Sequence, residues 1–147
     1  MTDHPLSQIL PSFDSHSYPA GINMAFSEVV GAGCKMLALS STYSREYAEE
    51  MLSATRHAAE EYNTLLYIEP DLLVTKLFPK DVAKDKTVIL IAHNQSVLDE
   101  YHSLKKLKIE SDEKGNPDEI EDEIARRFGV LLSYDKATLE RLLAKHG

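Results

Sequence analysis

The chain has 147 residues, 43% of them hydrophobic and 27% charged, with a net charge of −8 from 16 bases and 24 acids. A domain of this length hides roughly 70% of the surface its unfolded chain exposes, so disorder of the whole chain is excluded. No apolar run approaches the roughly 20 residues of a bilayer span, and the acidic balance points away from nucleic acid, because phosphate contact needs clustered cations.

Residues 1–20 hold Pro5, Pro11 and Pro19 and read as an irregular lead-in, with Leu6, Ile9, Leu10, Phe13 and Tyr18 apolar enough to lie across the domain surface. The same stretch lacks the basic start and apolar centre of a secretory signal. From Ile22 to Ala32 the apolar positions Ile22, Phe26, Val29 and Val30 share one helical face, and Gly31 and Gly33 supply a stop. Cys34 follows as the single cysteine. It is expected to be a small buried hydrophobe, and an unstapled fold suits the cytoplasm.

Residues 35–40 (KMLALS) form an apolar run short enough for a buried, central strand. Residues 44–62 predict a helix, with Ser44 as its cap, Tyr47, Met51, Ala54, Ala58 and Tyr62 as its stripe, and Asn63 as its stop. The runs 64–69 (TLLYIE) and 72–78 (LLVTKLF) flank Pro70 and Asp71 and predict a hairpin, with Lys76 marking an exposed edge. Residues 79–86 are a polar loop, and 87–92 (TVILIA) predict a second central strand.

Residues 96–108 predict a helix opened by a Ser96/Asp99 capping pair. Residues 110–123 carry eight acids against the single base Lys114, and 110–116 read as an acidic linker. Asn116, Pro117 and Glu119 start the next helix, whose buried line is Ile120, Ile124 and Phe128 and whose stop is Gly129. A last helix runs from Lys136 to His146, capped by Asp135 and stapled by Tyr134 against Leu139.

The expected fold class is α/β or α+β. It is a small mixed sheet of about four strands with packed helices, built as a lead-in (1–20), an α/β core (21–109), the linker (110–116) and a C-terminal helical pair on the core (117–147). The strand–helix–strand unit at 35–69 is long enough for a right-handed parallel crossover.

Both apolar strands end in polar residues ahead of a helix: Ser40, Ser41 and Thr42 after the first, His93 and Asn94 after the other. Parallel neighbouring strands would bring both clusters and two helix N-termini to one end of the sheet, where such folds bind anions. Ser40, Ser41, Thr42, His93 and Asn94 are therefore the candidate ligand contacts for a small anionic molecule. The catalytic candidates are His93 as acid or base, Ser41 as nucleophile or orienting hydroxyl, and Glu28 as an auxiliary carboxylate. Against them stand ordinary helix capping, a structural histidine and a solvated surface acid. No G-x-S-x-G, H-E-x-x-H, G-x-x-x-x-G-K-[ST] or C-x-x-C occurs, no metal site is expected, and no cofactor is indicated.

Residues 124–147 carry five bases against Asp135 and Glu140. Glu123-Ile-Ala-Arg-Arg-Phe-Gly-Val130, with Ala137-Thr-Leu-Glu-Arg-Leu-Leu143, resembles the helix-turn-helix pattern of bacterial regulators. The resemblance implies DNA recognition by residues 120–146. In this chain Gly129 and Thr138 stand farther apart than in that pattern, and Leu131-Leu-Ser-Tyr134 occupies the place of a compact turn.

Three readings follow. The first is a cytoplasmic, non-catalytic domain that binds a small anionic ligand or a protein partner, and self-associates through the Lys76 edge or the C-terminal leucines. The second is a small hydrolase or transferase at Ser41 and His93. The third is a DNA-binding regulator.

Overall fold

The computed structural model describes residues 14–146. The expectation for Leu6, Ile9, Leu10 and Phe13 lies outside these residues. The first helix, α1 (Ser17–Gly31), starts earlier than its apolar stripe suggests. Asp14 Oδ1 accepts the backbone N–H groups of His16 and Ser17 at 2.9 and 2.7 Å, which satisfies two donors at the helix start. Pro19 sits in the first turn, where a missing N–H costs nothing.

The remaining elements are β1 (Leu37–Leu39), α2 (Arg45–Tyr62), β2 (Leu65–Glu69), a short α3 (Lys80–Ala83), β3 (Val88–Ala92), α4 (Gln95–Glu113), α5 (Asp118–Leu131) and α6 (Lys136–His146). Among the described residues the sheet has three strands in the order β1-β3-β2, both pairings antiparallel. β1 and β2 therefore run the same way, with β3 inserted between them. β1, α2 and β2 thus form a parallel crossover as expected, with β3 between its two strands. The central place expected for the first strand is corrected: β1 is an edge, and β3, buried at every position, is the centre.

The predicted hairpin partner at 72–78 is not a strand. Thr75 Oγ1 accepts the N–H groups of Leu77 and Phe78 at 2.9 and 3.2 Å, and Thr75 N–H donates to the Phe78 carbonyl at 3.0 Å. That local turn replaces a ladder, while Leu72, Leu73 and Leu77 remain buried. Lys76 reaches Asp118 at 2.7 Å instead of marking a strand edge.

Each sheet face carries a helical layer. Leu37, Val88, Leu90 and Ala92 pack under α4 and α5 with Tyr101, Leu104, Ile124 and Phe128. Ala38, Ile89 and Ile91 pack under α1 and α2 with Val30, Ala48 and Met51. Alternation along β3 divides its side chains between the two cores.

The acidic linker is also corrected. α4 continues to Glu113 because Ser111 is fully buried and its hydroxyl donates to Glu121 at 2.8 Å, while Lys108 joins Asp112 and Glu121. α5 runs through Gly129 to Leu131. A Cβ at Gly129 would collide with Leu139 of α6, so this glycine is a helix crossing rather than a stop. Leu139 and Leu143 are covered by Leu77 and Ala125, so the C-terminal leucines find their cover inside the chain. No described helix is long and apolar enough to cross a membrane.

Candidate functional site

The antiparallel register decides the arrangement of the sequence-predicted site. Leu37 lies opposite Ala92 and Leu39 opposite Leu90. The chain thus leaves β1 where β3 begins. Ser40, Ser41 and Thr42 stand at one end of the sheet, and His93 and Asn94 at the other, where His93 N–H donates to the Met36 carbonyl at 2.9 Å. The N-termini of α2 and α4 do not converge. The single five-residue site is corrected on this ground.

Each candidate has a local role. Ser40 is buried, and its Oγ accepts the Ile89 N–H and donates to the Ser41 carbonyl, both at 2.8 Å. It closes the β1–β3 ladder with a hydroxyl in place of a carbonyl. Asn94 caps α4 through the Val97 N–H at 3.2 Å and accepts the Ser96 hydroxyl at 2.7 Å. Ser96 and Asp99 are therefore not the capping pair, and Asp99 instead accepts from Gln95 at 3.0 Å. His93 Nδ1 lies 2.8 Å from the Val30 carbonyl. A carbonyl only accepts, so Nδ1 is the protonated nitrogen, tying the end of β3 to the last turn of α1.

Ser41 and Thr42 are exposed. Glu28 is exposed on α1, where its charge is the main reason the Tyr62 phenol is held above its usual range. Cys34 is exposed, against the expectation of burial, because the Gly33 turn at φ +81° lifts it off the end of α1.

In the C-terminal pair, Arg126 and Arg127 are neutralised within the chain. Arg127 donates to Glu100 at 2.8 Å and to Glu123 at 3.3 Å, and Arg126 binds Asp122 at 2.7 Å and also Glu140. Both guanidinium groups are pushed up by these carboxylates, Glu140 first for Arg126 and Glu100 first for Arg127.

Two features lie outside the sequence expectations. One is a buried acid. Glu69, 2% exposed, accepts from Tyr101 Oη at 2.8 Å, from Lys105 Nζ at 3.1 Å on both oxygens, and from the Asp71 N–H at 2.9 Å. Burial and then the Glu69 charge push the Tyr101 phenol far above its ordinary range. Tyr101 Oη also accepts the Leu73 N–H at 3.2 Å, so the cluster clamps the 70–78 loop to α4.

The other feature is a cavity of about 300 Å³ along the outer side of β1. Phe26, Leu39, Leu72, Phe78, Val88, Leu132 and Tyr134 give it apolar walls, and Ser40 and Thr42 also line it. Among the described residues Lys35 is its one charged lining residue. The Lys35 ammonium donates to the Leu132 carbonyl and lies 5.4 Å from the centre of the Tyr134 ring. It forms no ion pair among the described residues. Burial holds it below the usual lysine range.

Two of the five predicted ligand residues thus border a pocket, and Lys35 was passed over. Its only trace in the sequence is a cation directly ahead of an apolar run. Among the described residues no group of three or more His, Cys, Asp and Glu side chains is placed to hold a metal. No protein-family model matches this chain, and neither a curated protein nor a solved structure does.

Proposed function

We propose that this protein is a small-molecule-binding domain whose β1 cavity takes a compact apolar ligand ending in one anionic group, such as a short aliphatic or aromatic carboxylate. The observation that carries this reading is Lys35, a half-buried ammonium in a largely apolar wall, bonded to a carbonyl and, among the described residues, to no carboxylate. A carbonyl satisfies one of its three protons and leaves its charge uncompensated. An anion would supply the missing charge, and the apolar walls would take the ligand's body. The volume stands at the lower end of ligand sites, which favours a small occupant.

Ser40 and Thr42 add hydroxyls to the lining, although Ser40 is already engaged with the ladder. The enzyme reading at Ser41 and His93 loses its premise, because those residues occupy opposite ends of the sheet. The regulator reading is disfavoured by the carboxylate partners of Arg126 and Arg127. The exposed lone thiol of Cys34 suits a reducing compartment, and we place the protein in the cytoplasm.

The test is a ligand-observed NMR screen of short-chain and aromatic carboxylates beside their methyl esters. The acids should bind, the esters should bind at least tenfold more weakly, and Lys35→Met should remove that preference. Equal binding of acid and ester, or a preference that survives Lys35→Met, overturns the reading.

A further inference from the structure

We infer that the β1 cavity also captures small apolar aldehydes covalently, as an imine on the Lys35 side-chain nitrogen. This inference rests on the cavity being a ligand site, not on that ligand's anionic end.

The nitrogen stands at the cavity wall. It donates to the Leu132 carbonyl and lies 5.4 Å from the centre of the Tyr134 ring, and Leu132 and Tyr134 both line the cavity. An amine attacks a carbonyl carbon through the lone pair of its neutral form. A neighbouring carboxylate opposes that form, because it holds the proton on nitrogen. Lys76, Lys105 and Lys108 are in that state, paired with Asp118, Glu69 and Glu121. Among the described residues Lys35 has no carboxylate partner. Its burial favours the amine.

The chemistry balances without an oxidant, a reductant or a metal. The nitrogen lone pair bonds to the aldehyde carbon, and the carbonyl π pair moves to oxygen. That oxygen takes a proton and the nitrogen gives one up, which makes a carbinolamine. The hydroxyl then leaves with a further proton as water, and the nitrogen lone pair closes the C=N bond. One amine and one aldehyde give one imine and one water.

The surroundings of the nitrogen suit the product. A protonated imine keeps one N–H and a positive charge. The Leu132 carbonyl is an acceptor for that N–H, and the face of the Tyr134 ring attracts the charge. Phe26, Leu39, Leu72, Phe78 and Val88 offer apolar cover to the aldehyde's alkyl or phenyl body. That body separates a binding site from an amine that is merely reactive.

The experiment is reductive alkylation of the full chain at neutral pH with butanal and cyanoborohydride. Hydride from the cyanoborohydride goes to the iminium carbon and fixes the adduct as a secondary amine, and peptide mass mapping reads each site. Formaldehyde, which has no body, is run in parallel. With butanal, Lys35 should be modified about tenfold faster than the exposed Lys106 and Lys136. With formaldehyde that preference should fall about fivefold, because no apolar body is buried. Leu39→Trp, which fills the cavity, should bring Lys35 down to the rate of the exposed lysines with butanal. The two aldehydes on the wild-type chain decide the matter even if Leu39→Trp fails to fold.

Modification of Lys35 no faster than Lys106 and Lys136 overturns the proposal. So does an equal preference for butanal and formaldehyde, which marks a reactive amine without a ligand site. Selective capture of butanal without a preference for acids over esters supports the proposal and removes only the anionic end group. Acid binding without selective capture overturns the proposal alone.

Discussion

Lys105 sets its ammonium 3.1 Å from both carboxylate oxygens of Glu69, a side chain only 2% exposed at the end of β2. The same ammonium donates to the Asp71 carbonyl at 2.7 Å. One cation thus neutralises a buried acid and fixes the start of the 70–78 loop.

Removing either partner should be costly, because the other is left unpaired. Lys105→Met should destabilise the protein by about 3 kcal/mol, the low end for a broken buried pair, since Lys105 is partly exposed. Glu69→Ala should cost at least as much, because Tyr101 and the Asp71 N–H lose their acceptor too. Urea unfolding midpoints check both, and a loss below about 1 kcal/mol would show that the cluster is not a clamp.

Two glycines of α1 should respond oppositely to alanine. At Gly31 a Cβ would strike the Tyr62 carbonyl oxygen and lie 3.0 Å from its Cβ, so backbone must move. Gly31→Ala should cost about 2 kcal/mol. At Gly21 nothing lies within 4 Å, and Gly21→Ala should stabilise by about 0.5–1 kcal/mol through helix propensity. Paired thermal melts give the two signs directly.

Ser40 and Ser41 separate architecture from surface. Ser40→Ala removes the acceptor of the buried Ile89 N–H and should cost about 1–3 kcal/mol. Ser41→Ala, at an exposed position, should stay within about 0.5 kcal/mol. If ligand binding in the cavity survives both changes, the hydroxyls at residues 40 and 41 are not ligand contacts.

The pH dependence of Lys35 has two opposite signs. Its folded value is lowered by burial, so over the window below the usual lysine range the unfolded chain holds more protons than the folded one. Stability of the empty protein therefore rises with pH across that window. Affinity for an anionic ligand should fall across the same window, because the ammonium is being lost. Titration calorimetry and denaturant unfolding at matched pH should show both trends, and Lys35→Met should abolish both.

Much of the helical frame is legible in the sequence. Ser44 accepts the Tyr47 N–H at 3.2 Å as the expected cap of α2, and Asn63 ends that helix at φ 56°. Asp135 likewise accepts the Thr138 N–H ahead of α6. The apolar runs at 65–69 and 88–92 are strands. Strand direction is not legible, because a buried run has the same composition whichever way its neighbour points. That one ambiguity produced the five-residue site. The 72–78 segment failed for a related reason: burial made it apolar, while Thr75 and the Tyr101 hydroxyl, rather than a neighbouring strand, took its N–H groups. The Lys35 cavity is drawn from α1, β1, the 70–78 loop and the α5–α6 turn, and no local spacing in the chain anticipates that meeting.

The placing of β3 between β1 and β2 also orders events during synthesis. The first two strands have nothing to pair with until Val88–Ala92 has emerged, so α1 and α2 are made before the surface they cover exists. A nascent chain stopped before residue 88 should have helices but no sheet, and its apolar strands would be open to chaperones. The last strand to arrive is the one on which both cores close.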